Sequence, residues 1–209
     1  MVEVVFPSLR EIYLLPRLGL GEPVVYAAVE VGDRARELVA TLLLEALAGM
    51  APEWTGVREW GPLTLDTGPL GQPLLRLGDK PGPGLSFSEA WGLLWAALTG
   101  KGQVGIDAAR EEDLASPYPY SRAFRPEEWD WAWRHCQGRT ASAAALLWAT
   151  KEAAVKALGV GFHTIAPLDL EVTPLAPAWE GLNLMVQAHV AVSAWIRPLH
   201  DGWLSLAVV

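Results

Sequence analysis

The sequence predicts an α+β fold of two similar lobes, each a small mixed or antiparallel sheet packed against a long helix. With 209 residues and 51% apolar composition, the chain can bury one large core or two small ones. Short apolar segments bounded by Gly and Pro alternate with longer stretches of helical periodicity. The order strand, helix, strands recurs in each half, although no sequence repeat accompanies it.

The first lobe is expected to span residues 1–100. Val24–Val31 is rich in β-branched residues and predicts a strand, after which Asp33 is the expected N-cap of a helix that ends at Gly49. Gly and Pro then punctuate the chain, which favours short strands joined by turns. These strands are expected at Leu63–Asp66, Pro73–Leu77, Leu85–Ser88 and Trp91–Leu98.

The second lobe is expected to span residues 101–209, beginning at a Gly-Lys-Gly turn. Gln103–Asp107 predicts its first strand. A short helix is expected from Arg125 to His135, because Pro and two acidic residues stand in its first turn. A longer helix is expected at Thr140–Leu158. The remaining strands are expected at Leu168–Val172, Asn183–His189, Val190–Arg197 and Trp203–Val209.

Composition excludes several classes of protein. A formal net charge of −8 argues against a protein that holds a nucleic-acid backbone. No apolar run reaches the roughly 18 residues of a membrane span, and the N-terminal stretch lacks the basic start of a signal peptide. A single cysteine, Cys136, cannot form an internal disulfide and fits a reducing compartment. We therefore expect a cytoplasmic protein with no nucleic-acid or membrane partner.

Two patterns indicate chemistry. Trp148, Glu152 and Lys156 follow one another at i, i+4 spacing, so they share one face of the long helix. Asp107 ends an apolar strand just before a polar loop. Taken separately, the first pattern is also typical of a surface Glu–Lys pair and the second of a turn-forming Asp.

The combination of motifs is more specific than either pattern alone. Gly105-Ile106-Asp107 is followed by Arg122-Ala123-Phe124 with Glu128, and then by the helix segment from Trp148 to Gly159. In this order the motifs resemble the phosphopantetheinyl transferase superfamily. Two further segments, Gly71-Gln72-Pro73 and Gly84-Leu85-Ser86-Phe87-Ser88, resemble its larger, two-lobed, monomeric type. That type implies an active cleft between the lobes.

The resemblance implies an enzyme that transfers the phosphopantetheine arm from coenzyme A to a serine hydroxyl of an acyl or peptidyl carrier protein. Asp107 and Glu152 match the positions that bind magnesium in the family. Glu152 and Lys156 match its catalytic positions: the carboxylate assists removal of the serine proton, and the ammonium stabilises charge on the phosphate. The implied partners are coenzyme A and the carrier protein, and the implied oligomeric state is a monomer.

The resemblance also implies coenzyme contacts and shows departures from the family pattern. Lys151 and Ser86 are the candidate coenzyme contacts that belong to motifs, and the guanidinium groups of Arg34 and Arg36 are candidates for holding the nucleotide phosphate. Two family residues are replaced.

Ala109 stands where many members have a second metal-binding acid, and Phe87 stands where a histidine is expected. Glu111, or a water molecule, could supply the missing ligand. Because both departures affect ligand contacts, a non-catalytic homologue that acts as a carrier-binding or assembly module is the alternative function. An unrelated α+β binding domain is a third.

Overall fold

The computed structural model describes residues 24–178 and 180–209, apart from the side chain of Arg58. The expectation for the N-terminal stretch lies outside these residues. The chain divides into two compact units between Val104 and Gly105. In the described part, three α-helices and three sheets confirm the α+β class.

From residue 24 onward, the first unit contains one longer helix and six strands. In chain order these are β1 (Val24–Glu30), α1 (Ala35–Ala48), β2 (Leu63–Thr67), β3 (Pro73–Leu77), β4 (Lys80–Pro81), β5 (Gly84–Ala90) and β6 (Leu93–Thr99). One antiparallel sheet has the order β1-β6-β5, and a smaller antiparallel sheet has the order β2-β3-β4. Helix α1 packs against β1 and β6 through buried residues that include Val39, Leu43 and Leu47.

The start of α1 differs from the sequence prediction. Arg34, not Asp33, is the residue at the N-cap, and no side chain caps the helix. Arg34 adopts a left-handed conformation with φ of 62°, and the Ala35 N–H donates to the Gly32 carbonyl at 3.1 Å. The backbone turn therefore takes the place of the predicted Asp cap.

The β5–β6 hairpin also corrects a predicted boundary. The sequence predicts a strand at Trp91–Leu98, but Trp91 and Gly92 form the two-residue turn between Ala90 and Leu93. Both turn residues have positive φ, 55° and 71°, which is the conformation that a type I′ hairpin turn requires. Glycine at the second position meets this requirement without strain, whereas a bulky tryptophan at the first does so at a cost.

Two α-helices and five strands are described in the second unit. They are β7 (Val104–Arg110), α2 (Pro126–His135), α3 (Thr140–Ala157), β8 (Glu171–Ala178), β9 (Gly181–Gln187), β10 (Ala191–Leu199) and β11 (Gly202–Val208). The five strands form one sheet in the order β7-β11-β10-β9-β8. The neighbours β8–β9, β9–β10 and β10–β11 pair antiparallel.

Strand β8 lies at one edge of this sheet and departs most from the prediction. A strand was expected at Leu168–Val172, but Pro167–Asp169 forms a 3-10 turn and the strand runs from Glu171 to Ala178. It contains Pro174 and Pro177, and its pairing with β9 shifts register between Pro174 and Ala176. Proline has no N–H to donate, so it is tolerated at a sheet edge of this kind.

Helix α3 packs against the sheet, and the core of the unit forms around it. From Ser142 to Ala157 every residue of α3 is buried except Trp148, Glu152 and Lys156, which are partly exposed. The many alanines of α3 let its backbone approach the strands closely. The helix thus leaves a single accessible stripe, the one predicted from the i, i+4 spacing.

No described helix has both the length and the apolar character that crossing a membrane would require.

Candidate active site

Gly105 fixes the distance between β7 and α3. A Cβ atom at this position would lie 2.7 Å from the Ala157 backbone nitrogen and closer still to the Ala153 carbonyl oxygen. Only glycine fits such an approach of strand and helix backbones. Because side chains alternate along a strand, Asp107 lies on the same face of β7 as Gly105. The glycine therefore brings the Asp107 carboxylate next to α3.

Gly105→Ala is expected to destabilise the protein by about 3 kcal/mol, because the helix backbone must move to admit the methyl group. Urea unfolding followed by circular dichroism measures the loss. Gly32→Ala is the control, since a Cβ there meets nothing within 4 Å and its φ is not in the left-handed region. Equal stability of the two variants would show that β7 and α3 adjust without cost.

Asp107 and Lys156 form a partly buried ion pair at the centre of the site. The Lys156 Nζ donates to Asp107 Oδ1 at 2.7 Å and to the Ile106 carbonyl oxygen at 3.0 Å. The Asp107 side chain is 11% exposed and that of Lys156 is 28% exposed. The contact joins the accessible stripe of α3 to the carboxylate on β7.

Glu152 lies one helical turn before Lys156 and is the second carboxyl group of the site. Burial raises the pKa of its carboxyl group to about 7, the negative charge of Asp107 adds to this rise, and the Lys156 ammonium opposes it. The two carboxylates are thus close enough to repel each other, and the metal-free protein keeps Glu152 partly protonated near neutral pH.

Aromatic rings border this carboxyl group. Tyr118 contacts Trp148 edge to face, with 5.9 Å between ring centroids, and Trp148 contacts Phe162 at 5.0 Å. Burial, followed by the charge of Glu152, raises the pKa of the Tyr118 hydroxyl. Sequence reasoning missed Tyr118, because it lies in an irregular loop after β7 where no periodicity marks it.

The structure corrects the interpretation of Lys151 as a coenzyme contact. Its side chain is fully buried and forms an ion pair with Glu128. The ammonium also donates to the carbonyl oxygens of Ala123 at 2.9 Å and Pro167 at 2.8 Å. All three of its N–H donors therefore have protein acceptors, which leaves none for a ligand. We revise Lys151 to a structural role.

Glu128 is the partner that organises this buried cluster. Its Oε1 accepts a hydrogen bond from the Arg125 N–H, which closes a capping interaction at the start of α2. Its Oε2 accepts a hydrogen bond from the Val172 N–H at 2.8 Å on β8. One carboxylate thus connects α2, α3 and β8. The glutamate of the sequence motif, Glu128, therefore has a structural role in this packing.

Neither position 109 nor Glu111 supplies a further carboxylate to the site. Ala109 is 6% exposed and belongs to the apolar core of the second unit. Glu111 follows the end of β7 and pairs instead with Arg139, with 3.2 Å between Arg139 Nη1 and Glu111 Oε1. Among described residues, no group of three or more His, Cys, Asp or Glu side chains is placed to hold a metal. The site therefore offers two carboxylates.

The other predicted coenzyme contacts lie in the first unit. Ser86 is 4% exposed on β5. Arg36 lies over the Phe87 ring, 5.5 Å from its centroid, with its Nη2 3.6 Å from Glu89. Arg34 and Arg36 line a small cavity that three acids share, Asp33, Glu37 and Glu89. Two cations and three anions give this cavity no net positive charge, which disfavours a phosphate there.

The arrangement in the second unit defines a class of chemistry. Two neighbouring carboxylates can hold a hard divalent cation through oxygen, and an adjacent ammonium can bind a phosphate oxygen. These are the groups that enzymes of phosphoryl transfer use to stabilise charge.

The family comparison agrees with this class. Residues 103–200 match the family model described as the 4'-phosphopantetheinyl transferase superfamily. The matched segment contains Asp107, Glu128, Glu152 and Lys156. For this segment, the match confirms the resemblance to the superfamily found in the sequence. No curated protein matches the chain.

Proposed function

We propose that this protein transfers the phosphopantetheine arm from coenzyme A to a serine hydroxyl of an acyl or peptidyl carrier protein, with magnesium. The observation that carries the proposal is the accessible stripe of α3, where Glu152 and Lys156 meet Asp107 on an otherwise buried helix. The match of residues 103–200 to the superfamily model supports phosphopantetheine as the transferred group.

Glu152 and Lys156 are placed to assist a one-step substitution at phosphorus. The serine oxygen bonds to the β-phosphorus of coenzyme A, the bond from that phosphorus to the bridging oxygen breaks, and adenosine bisphosphate leaves with the electron pair. Glu152 accepts the serine proton. The Lys156 ammonium stabilises charge on the phosphate oxygens.

The two carboxylates fit a magnesium ion. Mg²⁺ is commonly held by one or two carboxylates, with water and substrate phosphate as further ligands. Asp107 and Glu152 would hold it, and their mutual repulsion in the metal-free protein is the strain that a divalent cation relieves. When bound, the ion supplies positive charge that neutralises the diphosphate.

Mass spectrometry of carrier proteins tests the proposed function. The protein is incubated with coenzyme A, Mg²⁺ and several unmodified carriers, and each carrier is weighed. We expect a gain of one phosphopantetheine group on a carrier, and none on the same carrier with its acceptor serine replaced by alanine. Chelation of the metal should abolish the gain. No modification of any carrier by folded protein would contradict the proposal.

A specific observation favours the alternative, a non-catalytic carrier-binding or assembly module. Ala109 is buried in the apolar core and Glu111 forms an ion pair with Arg139, so neither position supplies a third acidic metal ligand. Such a module would bind an unmodified carrier without changing its mass. Carrier binding by calorimetry, measured beside the transfer assay, separates the two functions.

Ala109→Glu is expected to lower the magnesium concentration needed for transfer, because position 109 shares the face of β7 with Asp107 and lies about 7 Å farther along the strand. In the metal-free protein the same substitution should reduce stability, since it adds a carboxylate to a buried position on the same face of β7 as Asp107. Magnesium titrations read by transfer rate and by calorimetry measure the effect.

Ala109→Gln is the matched control for this variant, because it has the same size without the charge. A lower magnesium requirement in both variants, or in neither, would show that a carboxylate at position 109 does not reach the ion.

Several expectations stay predictions. These are the cytoplasmic location, the monomeric state, the division into lobes at residues 1–100 and 101–209, and the active cleft between two similar lobes. Contacts of coenzyme A with Ser86, Arg34 and Arg36 also stay predictions.

A further inference from the structure

Lys156 holds the carboxylate that the proposed function assigns to the metal. Its ammonium contacts Asp107 Oδ1 at 2.7 Å and the Ile106 carbonyl at 3.0 Å, so one cation is already bound at the middle of β7, which continues to Arg110 and does not end at Asp107 as the sequence predicted. A lysine that acts on a substrate phosphate must turn its N–H donors toward that phosphate. The observed contacts direct two of the three donors to the protein instead.

The charges at the site show that this pairing and a bound metal compete. Asp107 and Glu152 carry at most two negative charges, and Lys156 already supplies one positive charge. A divalent cation on the same carboxylates would leave a net positive site in which the ion and the ammonium repel each other at short range. Moving the ammonium away from Asp107 relieves that repulsion.

Resting on the function proposed above, we propose that Lys156 is the counterion of Asp107 in the metal-free protein, and that a divalent cation displaces its ammonium toward the substrate phosphate. Metal binding then sets the order of events, because the lysine is released only once the cation has taken its place. In the metal-free protein, the lysine offsets the charge of Asp107 and holds its carboxylate in place.

The position of Lys156 permits this movement. It lies on the accessible stripe of α3, its side chain is 28% exposed, and its flexible stem can reach solvent by a change of rotamer. Lys151, five residues earlier on the same helix, is fully buried with three acceptors and has no such freedom. Lys151 therefore serves as an internal control with a fixed ammonium, against which the movement of the Lys156 ammonium can be judged.

Pulse acetylation of amines, read by mass spectrometry, tests the proposal without measuring transfer. The chain has four lysines, of which Lys80 and Lys101 are exposed references. We expect the acetylation rate of Lys156, relative to these references, to rise roughly fivefold when Mg²⁺ is added, the factor that corresponds to losing one hydrogen-bonded contact. Lys151 should stay unlabelled. NaCl at matched ionic strength should have no effect.

Two variants define what causes the change. In Asp107→Asn, Lys156 should be labelled rapidly with or without Mg²⁺, because its charged partner is gone. In Glu152→Gln, the contact with Asp107 remains, so slow labelling should persist and the response to Mg²⁺ should weaken with the metal affinity.

A crystal structure with bound Mn²⁺ gives the direct geometric result. We expect the Lys156 Nζ to have left Asp107 Oδ1. An ammonium that stays on Asp107 beside the metal, a Lys156 labelling rate that is unchanged when calorimetry shows the metal bound, or no metal binding at all would each overturn the proposal.

Failure here is distinguishable from failure of the proposed function. An enzyme that modifies a carrier but shows no release of Lys156 retains the function and loses the displacement. A protein that releases Lys156 on metal binding but modifies no carrier retains the displacement and loses the function.

Discussion

Replacing Lys151 by methionine is expected to destabilise the second unit by about 3–5 kcal/mol, one of the two largest effects that the structure indicates. The substitution keeps the length of the side chain but leaves the Glu128 carboxylate buried without a cation. An uncompensated charge in the interior is strongly destabilising, and the carboxylate also anchors the Arg125 and Val172 N–H groups.

Urea unfolding measures this loss, and amide exchange at Val172 locates it. The double variant Lys151→Met with Glu128→Gln should recover a large part of the stability, because it removes the charge together with its partner. Glu171→Gln is the control. It breaks the exposed pair with Arg125 and should cost at most about 1 kcal/mol. A loss below that value for Lys151→Met would refute the structural role assigned to the buried pair.

The second large effect concerns transfer itself. Glu152→Gln and Lys156→Ala are each expected to reduce the transfer rate about a hundredfold, the size typical of removing one well-placed electrostatic group. Glu152→Gln removes a metal ligand and proton acceptor, and Lys156→Ala removes the cation next to Asp107. Steady-state transfer to a carrier, with circular dichroism to confirm folding, measures both effects.

Matched exposed residues provide the controls for these variants. Glu127→Gln and Lys101→Ala make the same chemical changes at exposed positions and should leave the rate unchanged. Transfer at the wild-type rate by either active-site variant would show that the roles of Glu152 and Lys156 are wrongly assigned.

The raised pKa of Glu152 adds a pH-dependent expectation for the metal-free protein. Because the folded-state pKa is about 7 and the ordinary value is 4.5, ionisation of Glu152 costs folding free energy as the pH rises between these values. Glu152→Gln should therefore gain stability relative to wild type from pH 4.5 to 7 and keep that gain above pH 7. Urea unfolding across this pH range, with chelator present, measures the difference.

Much of the fold follows from local sequence patterns, and the exceptions have physical causes. Helices α2 and α3 begin and end within a residue of their predicted bounds, because Pro and acidic residues mark the first and a long alanine-rich period marks the second. The predicted Asp33 cap of α1 was wrong because the left-handed backbone conformation of Arg34 begins the helix without a side-chain cap. The β8 strand was misplaced because its two prolines do not fit a strand pattern.

The site was predicted as far as spacing along the chain determines it. The stripe of Trp148, Glu152 and Lys156 follows from the helical period, whereas the grouping of Asp107 with Glu152 was implied by family resemblance alone. The contact between Lys156 and Asp107 was not predicted. The burial of Lys151 could not be predicted from residue spacing, because a shift of one residue along a helix moves a side chain from the accessible stripe to the buried face. Only the structure shows that Lys151 forms a buried ion pair with the Glu128 carboxylate.

The two prolines of β8 limit how another protein can attach to the second unit. Many binding domains extend a sheet by pairing an edge strand with a segment of the partner, which needs a continuous row of backbone donors and acceptors. Pro174 and Pro177 remove two donors from an eight-residue strand, and the register shift between Pro174 and Ala176 bends what remains. Strand addition along this edge is therefore disfavoured, and a partner is expected to recognise side chains instead.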